Sequence, residues 1–169
     1  EWYDSMEGGF ANNPPLVGPI GSFGKPLPDM VEIKVVREDD TECDPWEIGE
    51  LIARNVSKEI RVVYHNNPEA SAKKIVDGYY TTGDAVYMTD KNEMVYLDRL
   101  EDMRKLSSGH SYPPQFIENR LRFSPFIKEV MTLGDEDKPF VSAMINIDIG
   151  TIGPWAEQRT IGYTTFTDL

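Results

Sequence analysis

The stretch "TTGDAVYMTDKNEMVYLDR" sets one carboxylate, Asp84, and one guanidinium, Arg99, at equal distances from the turn Asp90-Lys91-Asn92-Glu93. Two short apolar runs, Ala85–Met88 and Met94–Leu97, flank that turn. Folded as a hairpin about a midpoint between Lys91 and Asn92, the runs would pair Met88 with Val95, Val86 with Leu97 and Asp84 with Arg99, all on one face. The other face would carry Tyr87 with Tyr96 and Ala85 with Asp98. A one-residue slip would scramble this pattern, so the register is expected to be well specified. An exposed cross-strand ion pair would contribute only about 0–1 kcal/mol. A pair over an apolar floor could do more. An ionised carboxylate only accepts hydrogen bonds, and its two oxygens can take both hydroxyls of a cis-diol such as ribose. A guanidinium only donates, to the same oxygens or to a nearby phosphate.

The elements that must position this pair read as follows. Residues 1–28, with "NNPP" and "GPIGSFGKPLPD", have the Gly/Pro/Asn composition of loop with little regular structure. Val31, Ile33 and Val35 alternate with Glu32 and Lys34, the period of a half-buried strand. Glu50–Arg54 reads as a second strand and Ile60–Tyr64 as a third. A short helix follows, with Asn67 as N-cap, Pro68 in its first turn, Lys73 and Lys74 in its last and Gly78 as its stop. The character changes after Arg99, and a boundary is placed near Glu101. "PPQFIENRLRF" reads as a helix with Glu118 and Arg122 paired at i,i+4, and "IKEVMTLG" and "FVSAMINI" as strands joined at Asp135–Pro139. "TIGPWAEQR" reads as a further helix capped by Thr151 or Asp148. The expected fold is α+β: a β-rich, distorted barrel-like piece over 1–100, then a small β-α-β-β-α domain over 101–169.

Composition narrows the partners. Asp and Glu total 29 against 17 Lys and Arg, a net charge of −12, which repels phosphate backbones and argues against nucleic acid. The hydrophobic fraction of 40% can fill a core. Cys43 is the only cysteine, which excludes an intrachain disulfide and fits a reducing compartment. His65 and His110 are far apart and lack a cysteine cluster, so no structural metal site is expected. No signal peptide and no apolar run long enough to cross a bilayer is seen.

Four stretches carry a family resemblance in order: "GSFGKPLPDMVEIKVV", "GELIARN", "NNPEASAKKIVDGYYTTGD" and "DRLEDMRKLSSGHSYPPQFIEN". Together they resemble the second half of the adenylate-forming acyl-CoA synthetases, a superfamily that includes luciferases and peptide-synthetase adenylation domains. The text from "DRLEDMRKL" to "WAEQRTIGYTTFTDL" is most similar to the long-chain fatty-acid branch. The resemblance implies that Asp84 and Arg99 contact the ribose of ATP, and that Glu101 stands at the hinge of a mobile C-terminal domain, where the family more often has Asp or Lys. It also implies that Lys105 and Gly109 belong to the loop that swings in on the coenzyme A side. Ser111 stands where some members carry a second nucleotide-binding arginine. Glu1 lies at about the distance before "GSFGKP" at which a Mg²⁺-binding glutamate would stand.

The implied chemistry has two steps: a fatty carboxylate and ATP give acyl-adenylate and pyrophosphate, and coenzyme A then displaces AMP. The Ser/Thr/Gly-rich phosphate loop ending in Pro-Lys-Gly does not occur in the sequence, nor does the family's C-terminal adenylation lysine. The resemblance therefore implies a piece of a larger enzyme: the last β-rich subdomain of the large domain plus an incomplete small one, inactive alone, with an upstream domain of the same chain as partner. The expected location is cytoplasmic, with peripheral membrane association of the full-length enzyme left open. An aryl-CoA ligase, a carrier-protein-loading adenylation domain and a non-catalytic β-rich binding module are the alternatives.

Overall fold

The computed structural model describes residues 2–4, 10–12, 21–27, 29–56 and 63–165. The fold is mixed α+β, as expected, and its first part is strand-rich with a curled half-barrel sheet. The chain divides into two compact units, Glu1–Glu101 and Asp102–Leu169.

In the first unit, the short strands β1 (Trp2–Asp4), β2 (Phe10–Asn12) and β3 (Lys25–Pro26) form a small antiparallel sheet in the order β1-β2-β3. The sequence reads this region as loop. Strands of two or three residues are too short to show alternation, and the glycines and prolines around them dominate the local signal. The main sheet contains β4 (Val31–Val36), β5 (Gly49–Asn55), β6 (Ile75–Val76), β7 (Tyr79–Met88) and β8 (Met94–Arg99). Strand β4 pairs with β5 and β5 with β7; β6 and β8 then share the far edge of β7. Of the expected third strand, 60–62 lie outside the described residues, and Val63 and Tyr64 are not in a strand.

Helix α1 (Pro68–Lys73) begins as its sequence predicts, with the Asn67 side chain accepting from the Ala70 amide at 3.0 Å. Its end differs. The helix stops at Lys73, capped by Lys74, and Gly78 belongs to a different element. Ile75 pairs with Tyr80 and Val76 with Tyr79, leaving Asp77 and Gly78 as a two-residue hairpin loop with φ of 51° and 81°. Asp-Gly is the sequence such a loop prefers, because both residues must take positive φ.

The β7–β8 hairpin also corrects the expected register. Met88 pairs with Met94, Tyr87 with Val95 and Val86 with Tyr96, one residue away from the symmetric reading. Asn92 adopts φ 57°, its amide donates to the Thr89 carbonyl at 3.0 Å, and the Thr89 amide donates to the Glu93 carbonyl at 2.9 Å. The loop is thus Asp90–Asn92, an odd number of residues, which moves the centre of symmetry onto Lys91. A bulge at Leu97 then adds one unpaired residue to β8, and Ala85 faces Asp98 while Asp84 faces Arg99.

Both faces of this hairpin bury side chains: Ala85, Val86, Met94, Val95, Leu97 and Asp98 are all at most 6% exposed. The main core gathers Tyr3, Val35, Leu51, Val86 and Met94, with Phe23, Ile33, Met88 and Tyr96 packed on it. Burying such side chains contributes about 1.5–3 kcal/mol each.

The second unit holds the β-α-β-β-α order expected of it: the hairpin β9 (Arg104–Lys105) and β10 (Ser111–Tyr112), α2 (Pro114–Leu121), the antiparallel pair β11 (Ile127–Leu133) and β12 (Ser142–Ile147), and α3 (Ile149–Gln158). Asp148, not Thr151, caps α3, accepting from the Thr151 amide at 2.9 Å. Glu118 does not pair with Arg122. Its carboxylate accepts from the Thr132 amide at 2.7 Å and the Thr132 hydroxyl at 2.9 Å, tying α2 to β11. Satisfying a buried threonine outweighs a solvent-screened i,i+4 pair. No helix among the described residues is long and apolar enough to cross a membrane.

Candidate functional site

The site begins with an irregularity in β7. On the β5 side, Ala85 pairs with Glu50 and Thr81 with Ile52, so Thr82, Gly83 and Asp84 together stand opposite Leu51 alone. On the other side, Thr81, Thr82 and Gly83 lie between the end of β6 pairing at Tyr80 and the start of β8 pairing at Asp84. The backbone leaves the ladder here and side chains replace the missing bonds. The Thr82 hydroxyl donates to the Leu51 carbonyl at 2.7 Å and accepts from the Asp84 amide at 3.1 Å. The Gly83 amide donates to Glu50 Oε1 at 3.0 Å. Gly83 takes φ 77°, a conformation costly for any residue with a Cβ, which is why a glycine precedes the aspartate.

Asp84 is buried, at 6% exposure, yet both carboxylate oxygens have donors. Arg99 Nη1 donates to Oδ1 at 2.8 Å and also to the Thr82 carbonyl at 3.0 Å. The Tyr3 hydroxyl donates to Oδ2 at 2.5 Å. The ion pair is asymmetric in burial: the Arg99 side chain is 53% exposed and that of Asp84 8%. The Asp84 charge, partly opposed by burial, lifts the Arg99 guanidinium further above its already high range. Burial first, then the bond to Asp84 and its charge, push the Tyr3 phenol well above the ordinary tyrosine range, so it stays protonated and remains a donor.

Beside this pair opens a cleft of about 590 Å³ lined by Tyr64, Lys74, Thr82, Gly83, Arg99, Leu100 and Glu101. Asp84 does not line it; Arg99 reaches from the cleft wall to the buried carboxylate. Lys74 is held there by its Nζ, which donates to the Thr81 carbonyl at 3.0 Å. A carboxylate has about four acceptor sites. Among the described residues two donors reach it, one on each oxygen. On the cleft wall, the Arg99 guanidinium and the Lys74 ammonium can offset negative charge.

The remaining sequence-derived residues lie elsewhere. Glu101 is exposed in the short 3-10 turn Leu100–Asp102, lines the same cleft and ends the first unit. Lys105 is exposed in β9, paired with Ser111 of β10, and Gly109 sits in the loop between those strands at φ 85° with open space around it. Glu1 lies outside the described residues. Among the described residues, no three His, Cys, Asp or Glu side chains gather as a metal site would require. Sequence reasoning misses Tyr3, Thr82, Glu50 and Lys74. Only Thr82 has a local signal, as the threonine of Thr-Gly-Asp; Tyr3 lies 81 residues from its partner, beyond any spacing argument.

No family model matches the chain. Curated relatives do. It is 33% identical over 114 residues to a long-chain-fatty-acid–CoA ligase of Escherichia coli O157:H7, covering 68% of this chain and 20% of that one. It is 35% identical over 121 residues to the 2-succinylbenzoate–CoA ligase of Bacillus subtilis, covering 70% and 24%. The chain thus spans about a fifth to a quarter of the length of these relatives. Among solved structures, the O-succinylbenzoate coenzyme A synthetase of Bacillus subtilis in complex with AMP superposes with a TM-score of 0.64 at 28% identity, covering 83% of this chain and 29% of that one. The same synthetase in complex with ATP and a magnesium ion gives 0.63 at 27%, covering 83% and 30%.

Proposed function

We propose a function from the premise that the chain belongs to the adenylate-forming acyl-CoA ligases, the family of these homologues and structural neighbours. In our reading, the native protein joins a carboxylic acid to coenzyme A at the expense of ATP, and this chain holds the ribose of the nucleotide. A carboxylate oxygen of the acid bonds to the α-phosphorus of ATP as the α–β bridging bond breaks, releasing pyrophosphate. The thiolate of coenzyme A then bonds to the acyl carbon as the bond to AMP breaks. The residues assigned to these steps position and do not react. Asp84 accepts the two ribose hydroxyls and Arg99 supports it from the cleft side. Such placement counts because holding reactants in register removes much of the entropic barrier.

One observation carries the assignment: buried Asp84 receives one donor on each oxygen from the described residues, Tyr3 and Arg99, beside a cleft with cationic residues. Residues 1–100 are read as the last β-rich part of the large domain and 101–169 as the small mobile domain. Glu101 is then the hinge, and Lys105 and Gly109 lie in its coenzyme A-side loop. Magnesium, present with ATP in one neighbour, would offset phosphate charge; no described residue is assigned to it. The isolated 169-residue chain is expected to be inactive. The single cysteine, Cys43, favours a reducing compartment, and we assign the protein to the cytoplasm on that ground.

For the acid, we propose a long-chain fatty acid, on the sequence similarity after Arg99. An aryl acid is the second reading, favoured by the similarly close 2-succinylbenzoate ligase. ATP–pyrophosphate exchange by the native full-length protein, with oleate and with 2-succinylbenzoate in parallel, separates the two. Asp84→Ala should raise the ATP KM at least about tenfold with a smaller change in kcat, as expected for a lost charged hydrogen bond. Unchanged ATP kinetics would remove Asp84 from the site.

A further inference from the structure

We propose that Trp46 and Tyr87 form a docking surface for an arginine-bearing segment of a partner protein, at the end of β7 away from Asp84. This surface does not depend on the ligase reading. The Trp46 ring lies 5.6 Å from that of Tyr87, tilted by 32°, yet Trp46 is 59% exposed. Gly49 pairs with Val86, so Ile48, one step before it and 43% exposed, comes level with Tyr87 and extends the patch. Leaving an indole in water forgoes the burial that so large a ring normally gains. Tryptophan is also among the residues that most often anchor an interface.

The loop between β4 and β5 holds the indole out. Trp46 takes φ 71°, costly for a bulky side chain, and its amide donates to the Met88 carbonyl at 2.7 Å. Arg37 organises the loop from within: Nε donates to Glu47 Oε1 at 2.7 Å and Nη1 to the Glu42 carbonyl at 2.6 Å, while the Asp44 amide donates to Glu47 Oε2 at 2.9 Å. Glu38, Asp39, Asp40, Glu42 and Asp44 stay exposed on the same loop. Among the described residues their ion pairs are Arg37 with Asp44 at 3.4 Å and Lys34 with Glu42 at 3.9 Å, which leaves the loop negative. An aromatic face set among carboxylates fits a cation. A guanidinium fits best, because it is planar, stacks on indole and is more weakly hydrated than an ammonium. The same charge disfavours other occupants. An anionic lipid surface would be repelled, and a second copy docked about a two-fold axis would set this acidic loop against itself.

The test uses fluorescein-labelled octa-arginine and octa-lysine as probes, with dissociation constants read by anisotropy on the native full-length protein at fixed salt. The arginine peptide should bind at least about threefold more tightly than the lysine peptide, as one exposed cation–π contact implies. Trp46→Gly removes the indole and accepts positive φ, so the chain should still fold, and the two peptides should then bind alike. Trp46→Phe should keep part of the preference. Neutralising Glu38, Asp39 and Asp40 together as Gln, Asn and Asn should weaken both peptides and leave their ratio unchanged. In hydroxyl-radical footprinting of the native full-length protein, Trp46 should be oxidised when free and protected by octa-arginine. A wild type without the arginine preference, or a preference that persists in Trp46→Gly, overturns the proposal. So does Trp46 already protected in the free protein, which would mean that another part of the same chain covers it. Binding to phosphatidylserine vesicles that is lost in Trp46→Gly would overturn it in favour of a membrane.

Discussion

Asp84 faces Arg99 because Leu97 faces no one. The three-residue loop ending at Asn92 shifts the β7–β8 pairing by one residue, and the bulge at Leu97 shifts it back. A regular ladder continued from Tyr96 would set Leu97 against Ala85 and Asp98 against Asp84, placing two carboxylates opposite each other. The bulge puts the guanidinium there and turns Asp98 elsewhere, fully buried, with one oxygen accepting from the Arg99 amide at 2.9 Å. Loop and bulge thus act together on the site, although one is at the closed end of the hairpin and the other near its mouth.

The loop can be tested through Asn92. Its φ of 57° is tolerated by asparagine and glycine and disfavoured in β-branched residues. Asn92→Gly should leave stability within about 0.5 kcal/mol, and Asn92→Val should cost about 1–2 kcal/mol. Urea unfolding of the two variants checks this. Equal stability would mean that the loop has another geometry.

Gly83 makes a second test. Among the described residues a Cβ there would meet only Arg99 Nη1, at 3.9 Å, so the expected penalty comes from φ 77°. Gly83→Ala should destabilise by about 1–2 kcal/mol and weaken AMP binding as the Thr82–Asp84 backbone relaxes. A variant of wild-type stability and affinity would show that the chain can pass this point without positive φ.

Much of this was legible in the sequence, and the limits have physical causes. The alternation in Val31–Val36, the Asn67-Pro68-Glu69 helix start and the apolar runs around Asp90–Asn92 are local signals, and the corresponding elements are present. Asp77-Gly78 is local too, but a glycine after lysines suits both a helix stop and a hairpin loop; only the pairing of Val76 with Tyr79 decides. The Leu97 bulge left no mark because a leucine fits a strand with or without a partner. Two one-residue displacements cancelled, so a symmetric reading reached the right opposing pair through wrong intermediate ones. Tyr3 sits in a three-residue strand and gains its meaning only from a carboxylate 81 positions away.

Glu32 supplies a pH-dependent prediction. The Tyr79 hydroxyl donates to its Oε1 at 2.5 Å, and Arg54 pairs with its Oε2. The bond from Tyr79 first, and then that from Arg54, hold its carboxyl below the ordinary glutamate range. The unfolded state therefore takes up a proton at higher pH than the folded state. The contribution is full above the ordinary glutamate pKa, about 4.3, and is lost as pH falls below it. With Glu32 partly exposed, the contribution should stay within about 1 kcal/mol. Urea unfolding should show Glu32→Gln less stable than wild type at pH 7 and the difference shrinking toward pH 3. A gap that widens on acidification would contradict the sign.

The central claim is that Asp84 and Arg99 hold the sugar of a nucleotide, and a crystal structure of the native full-length protein with AMP tests it most directly. The account predicts both ribose hydroxyls within about 3 Å of the Asp84 carboxylate oxygens, with Tyr3 and Arg99 still donating to that carboxylate. AMP bound with its ribose away from Asp84, or Asp84 turned from the ligand with its bonds to Tyr3 and Arg99 unchanged, would contradict it.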